Sequence, residues 1–129
     1  MILVDTSVWI DFFSSSPGLA GAELFRLIEE AEPFALTGVV VAEVLQGLTR
    51  DTGRIEHYLA QWEMLEARGF ATYRGAAVIY RAARAKGITP TTIDTVIAAI
   101  ALEHNAADFT LEQDFSSNAR VAPMALYSF

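Results

Sequence analysis

Ile2-Leu3-Val4-Asp5-Thr6-Ser7-Val8-Trp9 is the stretch on which the reading of the whole chain turns. Three apolar residues make a short strand that starts at the N-terminus and stops at Asp5. A helix is expected over residues 7–13, ended by the Ser14–Gly18 stretch. In open α/β sheets, ligand sites gather at the carboxyl ends of strands, and that is where Asp5 stands. By position alone, Asp5 serves equally well as an N-cap or turn residue.

Working outward, residues 19–31 place Leu24, Leu27 and Ile28 on one helical face, Pro33 breaks that helix, and Phe34–Leu36 reads as a second strand. Val41, Val44, Leu45 and Leu48 then mark a helix over residues 39–48. Ile55, Tyr58, Leu59 and Trp62 mark another over 53–66, with Gly69 as its stop. Phe70–Thr72 is expected as a third strand, followed by a helix over 74–86 that ends at Gly87. Pro90 precedes a helix over 92–104 with Ile93, Val96, Ile97 and Ile100 inward, and residues 107–111 and 124–127 are expected as final strands. Short strands alternating with helices predict an α/β fold, a short parallel central sheet flanked by helices on both faces. No repeat, linker or low-complexity tract divides the chain, so residues 1–129 are expected to form a single domain.

Cysteine is absent, which removes disulfides and thiolate metal sites and fits a reducing compartment. The N-terminus has no basic region, and Asp5 and Asp11 cut its apolar stretch, so it does not read as a signal peptide. The longest apolar run, Val96–Leu102, falls far short of the roughly 18 residues that suggest a membrane span. A soluble, cytoplasmic protein with no membrane partner is expected. A net charge of −7 argues at face value against a nucleic-acid partner. If five acids form a metal site, however, the remainder is 11 acids against nine bases, a net of −2. Bound cations would then supply positive potential where phosphates arrive.

The candidate acids each have a structural reading beside the functional one. Glu43 falls opposite the Val41/Val44/Leu45/Leu48 face, which by periodicity makes it solvent-exposed. Asp94 sits in Thr91-x-x-Asp94, a capping box that by itself explains an acid at a helix start. Glu112 and Asp114, two apart after a short strand, repel unless they point apart or share a cation. Their joint placement is more informative. Asp5, Asp94 and the 112–114 pair all lie at element ends, and those ends converge if the first strand is central and the fourth is its neighbour.

This arrangement resembles the PIN-domain ribonucleases and, within them, the short VapC-type toxins of VapBC toxin–antitoxin pairs. The resemblance rests on four segments in order: Ile2–Trp9, Val40-Val41-Ala42-Glu43-Val44-Leu45-Gln46-Gly47, Thr92-Ile93-Asp94-Thr95-Val96-Ile97-Ala98-Ala99, and Thr110-x-Glu112-x-Asp114-Phe115. It covers essentially the whole chain. It implies a PIN-like domain with catalytic acids Asp5, Glu43, Asp94, Glu112 and Asp114, of which Asp5, Asp94, Glu112 and Asp114 hold metal. Thr6, Ser7 and Thr110 match hydroxyl positions that line such sites. One position departs, because the family usually has Asp where this chain has Glu112. The longer side chain could shift a cation by an ångström or so, which bears on rate rather than on fold.

Carboxylates, hydroxyls and waters make a hard-oxygen ligand set suited to Mg²⁺, with Mn²⁺ as a substitute, and not to zinc. The resemblance implies endonucleolytic cleavage of RNA leaving a 5′-phosphate and a 3′-hydroxyl, a cognate antitoxin protein as partner, and a homodimer. A metal-free ribonuclease would instead need an acid and a base near neutral pH. The two histidines, His57 and His104, fall on helices away from any motif. Arg81, Arg84 and Lys86 end the helix before the Asp94 segment, where they complement the helix dipole or hold RNA phosphates. The Ile55/Tyr58/Leu59/Trp62 stripe suits the core or a partner helix. An alternative reading is a catalytically weak PIN-like module that binds protein or RNA, which the Glu112 departure keeps open. A phosphatase-like Asp-x-Asp after the first strand is excluded, since Ser7 stands two after Asp5.

Overall fold

The computed structural model describes residues 1–111 and 126–129. The first strand, β1 (Ile2–Val4), is followed by α1 (Thr6–Phe13), α2 (Leu19–Glu29), β2 (Phe34–Leu36), α3 (Gly38–Gln46), α4 (Thr52–Ala60), β3 (Glu63–Met64), α5 (Phe70–Ala85), α6 (Thr92–Glu103) and β4 (Ala107–Phe109). The sheet order is β3-β2-β1-β4, and every pairing is parallel. The expected α/β architecture is present, with β1 beside β4. Beyond residue 109, Leu126 forms a parallel bridge with Asp108. Residues 124 and 125 of the expected last strand lie outside the described residues, as do Glu112 and Asp114.

Chain direction explains the layers. From β1 to β2 to β3 the sheet grows one way, so right-handed crossovers lay α1–α4 on a single face. The return from β3 to β4 runs the other way and carries α5 and α6 across the opposite face. The side chains agree. Phe34 lies against Trp9 and Trp62 on the first face, with ring centroids 6.1 and 4.9 Å away. Trp9 is fully buried and also touches Phe12 and Phe13, so this aromatic cluster anchors α1 on the sheet.

A close approach joins α1 to α2. The Asp11 carboxylate accepts the backbone N–H of Gly18 and of Gly21, the latter at 2.7 Å, and so caps the start of α2. A Cβ at position 21 would lie 3.1 Å from the Phe12 Cα, and glycine lets the helices meet there.

Three expectations fail. Phe70–Thr72 is the first turn of α5 and not a strand, and the third strand is Glu63–Met64. Local β propensity at 70–72 loses to helix packing, since Thr72, Ala76, Ile79 and Ala83 continue one buried stripe against α6. Gly69, at φ +85°, makes the left-handed turn that starts this helix. Consequently α4 ends at Ala60, and Trp62 packs from the turn after it. The inward face of α6 is also rotated, leaving Ile93 at 40% exposure while Thr95, Ile97, Ala98 and Ile100 are buried. No helix among the described residues is long and apolar enough to cross a membrane.

Candidate active site

β1 and β4 are neighbours from which the chain departs in opposite directions, and their carboxyl ends form the crevice where α/β sheets bind ligands. Asp5 ends β1 and Thr110 follows β4. Asp5 has the backbone of an N-cap, yet its side chain makes no capping bond to α1. Its Oδ2 accepts instead from Thr110 Oγ1 at 3.0 Å and from Ser7 Oγ at 3.4 Å. The side chain is therefore not used as a cap: a nearly buried carboxylate, 2% exposed, is turned toward the strand ends.

Glu43 comes from the middle of α3. Periodicity made it solvent-exposed, but it is half-buried, and Thr6 Oγ1 donates to its Oε1 at 2.7 Å. The inward residues of α3 are Val40 and Val44, with Val41, Leu45 and Leu48 only partly buried, so the helix is rolled toward the crevice. Asp94 is at the start of α6, and the expected capping box is complete: Thr91 Oγ1 accepts from Asp94 N at 3.1 Å, and Asp94 Oδ2 accepts from Thr91 N at 3.3 Å. Capping does not remove Asp94 from the crevice. Asp5, Thr6, Ser7, Glu43 and Asp94 line one cleft of about 290 Å³.

The end of one strand and two helices therefore bring the three described acids to one place. They line the cleft without closing on a single point, and among the described residues no three acids or histidines lie close enough to grip an ion unaided. Every donor present is an oxygen, and this suits a hard divalent cation. Ser7 Oγ also lies 3.4 Å from Thr110 Oγ1 and accepts from Leu111 N at 3.0 Å, which ties residues 110 and 111 to the start of α1.

Neither histidine is part of the cleft. His57 is exposed in the last turn of α4, and His104 Nε2 donates to the Glu66 carbonyl at 2.8 Å at the end of α6. Arg81 lines one cleft together with Thr92 from the first turn of α6, which also holds Asp94. Arg84 donates to Thr89 Oγ1 at 3.4 Å, and Lys86 is the exposed C-cap residue of α5.

Asp108 is an acid that the motifs in the sequence do not pick out. It pairs in register with Leu3, on the sheet face covered by α5 and α6 and one step below Asp5. It is fully buried, and neither carboxyl oxygen has a hydrogen-bond partner among the described residues. Burial, and secondarily the charge of Asp5, pushes its carboxyl up to about 8. A charged residue inside the apolar strand Ala107-Asp108-Phe109 was the available signal.

This site on this sheet defines a class. A family model of the PIN domain matches residues 2–121, and the chain belongs to the PIN domain family. Within that family its full-length likeness is to VapC ribonucleases. It is 35% identical over 133 aligned positions to VapC ribonuclease Mb1587 of Mycobacterium bovis, covering 100% of this chain and 99% of the relative. The same figures hold for ribonuclease VapC11 of Mycobacterium tuberculosis. Among solved structures, VapBC2 of Rickettsia felis bound to a promoter DNA fragment is 18% identical with a TM-score of 0.77, covering 100% of this chain and 99% of that one. FitAcB of Neisseria gonorrhoeae is 24% identical with a TM-score of 0.72, covering 99% and 97%. At those identities the likeness is one of fold.

Proposed function

We propose that this protein is the toxin of a type II toxin–antitoxin pair, an endoribonuclease that hydrolyses RNA phosphodiesters with a divalent cation, Mg²⁺ or in its place Mn²⁺. The observation that carries the reading is the convergence of Asp5, Glu43 and Asp94, from three separate elements, on one cleft beside β1 and β4. Asp5 and Asp94 would hold the cation, with Glu112 and Asp114 as its further ligands. When bound, the cation lowers the pKa of a water and stabilises charge on the reacting phosphate oxygens.

The chain's own groups do the remaining work. Ser7 and Thr110 hold the Asp5 carboxylate in one orientation by donating to it. Thr6 holds Glu43, leaving its second oxygen to orient or take a proton from an attacking water. The N-terminus of α6, the positive end of the helix dipole, favours a phosphate near Asp94. RNA cleavage is expected to stop in EDTA, to return with Mg²⁺ or Mn²⁺, and to leave 5′-phosphate ends. Full activity in EDTA, or cyclic-phosphate products, would refute the reading.

Arg81 and Arg84 serve substrate binding. Changing both to Ala should weaken RNA binding and lower the slope of log affinity against log salt, by about 0.7 for each single-strand phosphate no longer neutralised. An unchanged slope in a salt titration would leave them as charges that complement the end of α5. Antitoxin binding is assigned to the α1–α4 face. There, Phe12, Phe13, Ile55 and Tyr58 line a hollow of about 240 Å³ with Arg54 at its edge, while Leu59 of the same helix is buried in the core. A homodimer is part of the same proposal.

A further inference from the structure

Helix α5 differs electrostatically from the rest of the chain. Residues 74–86 hold four of the nine bases, Arg74, Arg81, Arg84 and Lys86, and none of the 16 acids. Arg74, Arg81 and Arg84 make no ion pair among the described residues. With Thr72, Ala76, Ile79 and Ala83 turned inward, the outward face carries Tyr73, Ala77, Arg81 and Arg84.

Along this face an open cleft of about 350 Å³ runs between α5 and α6. Tyr73, Ala77, Tyr80 and Arg81 line it from α5, with Thr92 and Val96 opposite. Tyr73 and Tyr80 are seven residues apart, about two helical turns, so they stand on one side of the helix with Ala77 between them. Two phenol rings separated by a small residue leave room for a flat ring to stack. Tyr73 is 55% exposed, so much of its ring is open to a ligand. Arg81 shares the slot with Thr92, which stands two residues before Asp94 of the acidic cleft.

Aromatic faces beside unpaired arginines are the chemistry that binds single-stranded nucleic acid, through base stacking and phosphate contact. A second copy of this chain fits the face less well. A two-fold contact centred on this face would bring two such basic segments together, with no acid in residues 74–86 to offset them.

We propose that the α5–α6 cleft is a nucleobase subsite, in which an unpaired RNA base next to the scissile phosphate stacks on Tyr73 or Tyr80 while Arg81 meets its phosphate. The proposal rests on the ribonuclease reading above and specifies how that site holds its substrate.

The test compares the whole protein with Tyr73→Ala, Tyr73→Phe and, as an exposed position of α5 outside the cleft, Val78→Ser. Binding of a fluorescently labelled single-stranded RNA is measured by anisotropy in EDTA, and kcat and KM are measured in Mn²⁺. Tyr73→Ala should weaken binding and raise KM about tenfold with kcat within about twofold, as expected for loss of one stacked base. Tyr73→Phe and Val78→Ser should match the wild type. A single abasic position in the RNA should reproduce the loss in the wild type and add little in Tyr73→Ala. Unchanged binding and KM in Tyr73→Ala would overturn the subsite. So would a loss of affinity that accompanies conversion of a dimer to monomers in sedimentation, which would make the cleft an interface between copies. Failure of the wild type to cleave RNA in Mn²⁺ sinks the ribonuclease reading instead, and the EDTA binding arm still decides the cleft.

Discussion

Replacing Asp94 with Asn is expected to lower RNA cleavage by roughly a hundredfold or more while leaving the fold intact. A metal-site carboxylate contributes several kcal/mol of transition-state stabilisation, and each 1.4 kcal/mol or so is tenfold in rate. Asn keeps the side-chain shape, and its amide oxygen still accepts from Thr91 N, so most of the capping box survives. What it removes is the negative charge facing the cleft shared with Asp5 and Glu43. If Asp94 served only as a cap, the same variant would lose about 1 kcal/mol of stability at most and keep its activity. Thermal melting and cleavage measured on one preparation separate the two, since the active-site role predicts a large rate loss at nearly constant Tm.

The second large effect belongs to Asp108. A fully buried carboxyl with no hydrogen-bond partner among the described residues is held protonated in the folded chain, its pKa moved from 3.8 to about 8. Between those values the folded state keeps a proton that the unfolded state has released. Stability therefore falls as pH rises across that window, by up to about 1.4 kcal/mol per unit, and levels off above it. Asp108→Leu removes both the slope and the cost of burying a polar group beside Leu3. At pH 8 in EDTA the Leu variant should be more stable than the wild type by several kcal/mol, with a smaller gain at pH 5. Urea titrations at the two pH values measure the difference. Equal gains at both would mean that Asp108 is ionised in the folded chain as it is in the unfolded one, with no raised pKa. EDTA matters because a cation at Asp5 would offset the charge that helps hold the Asp108 proton.

Both effects concern carboxylates whose roles could not be told from their neighbours in sequence. The order and type of most elements could. The strand at Ile2–Val4, the stop at Ser14–Gly18, the break at Pro33 and the capping box at Thr91–Asp94 all rest on signals within a few residues. Apolar periodicity and capping chemistry act over one or two helical turns, and a single sequence displays them directly. The same signals placed Arg81 and Arg84 on one helical face and Asp5 at a strand end.

Tertiary structure decided the rest, because each remaining answer depends on a partner far away in the chain. Phe70–Thr72 has the residues of a strand and became helix because Thr72 completes a buried stripe against α6. Glu43 reads as exposed from α3 alone and turns into the cleft once Thr6, 37 residues earlier, meets it. Asp5 is an N-cap by backbone, and Thr110, 105 residues later, takes its side chain elsewhere. Asp108 is ordinary in sequence and costly in space, since the register that pairs it with Leu3 puts it under α5 and α6, with no hydrogen-bond partner among the described residues. The sequence by itself determined which acids are present and which elements carry them. Only the sheet order β3-β2-β1-β4, a choice made by packing across the whole chain, decided which of them meet at one cleft and which is sealed beneath it.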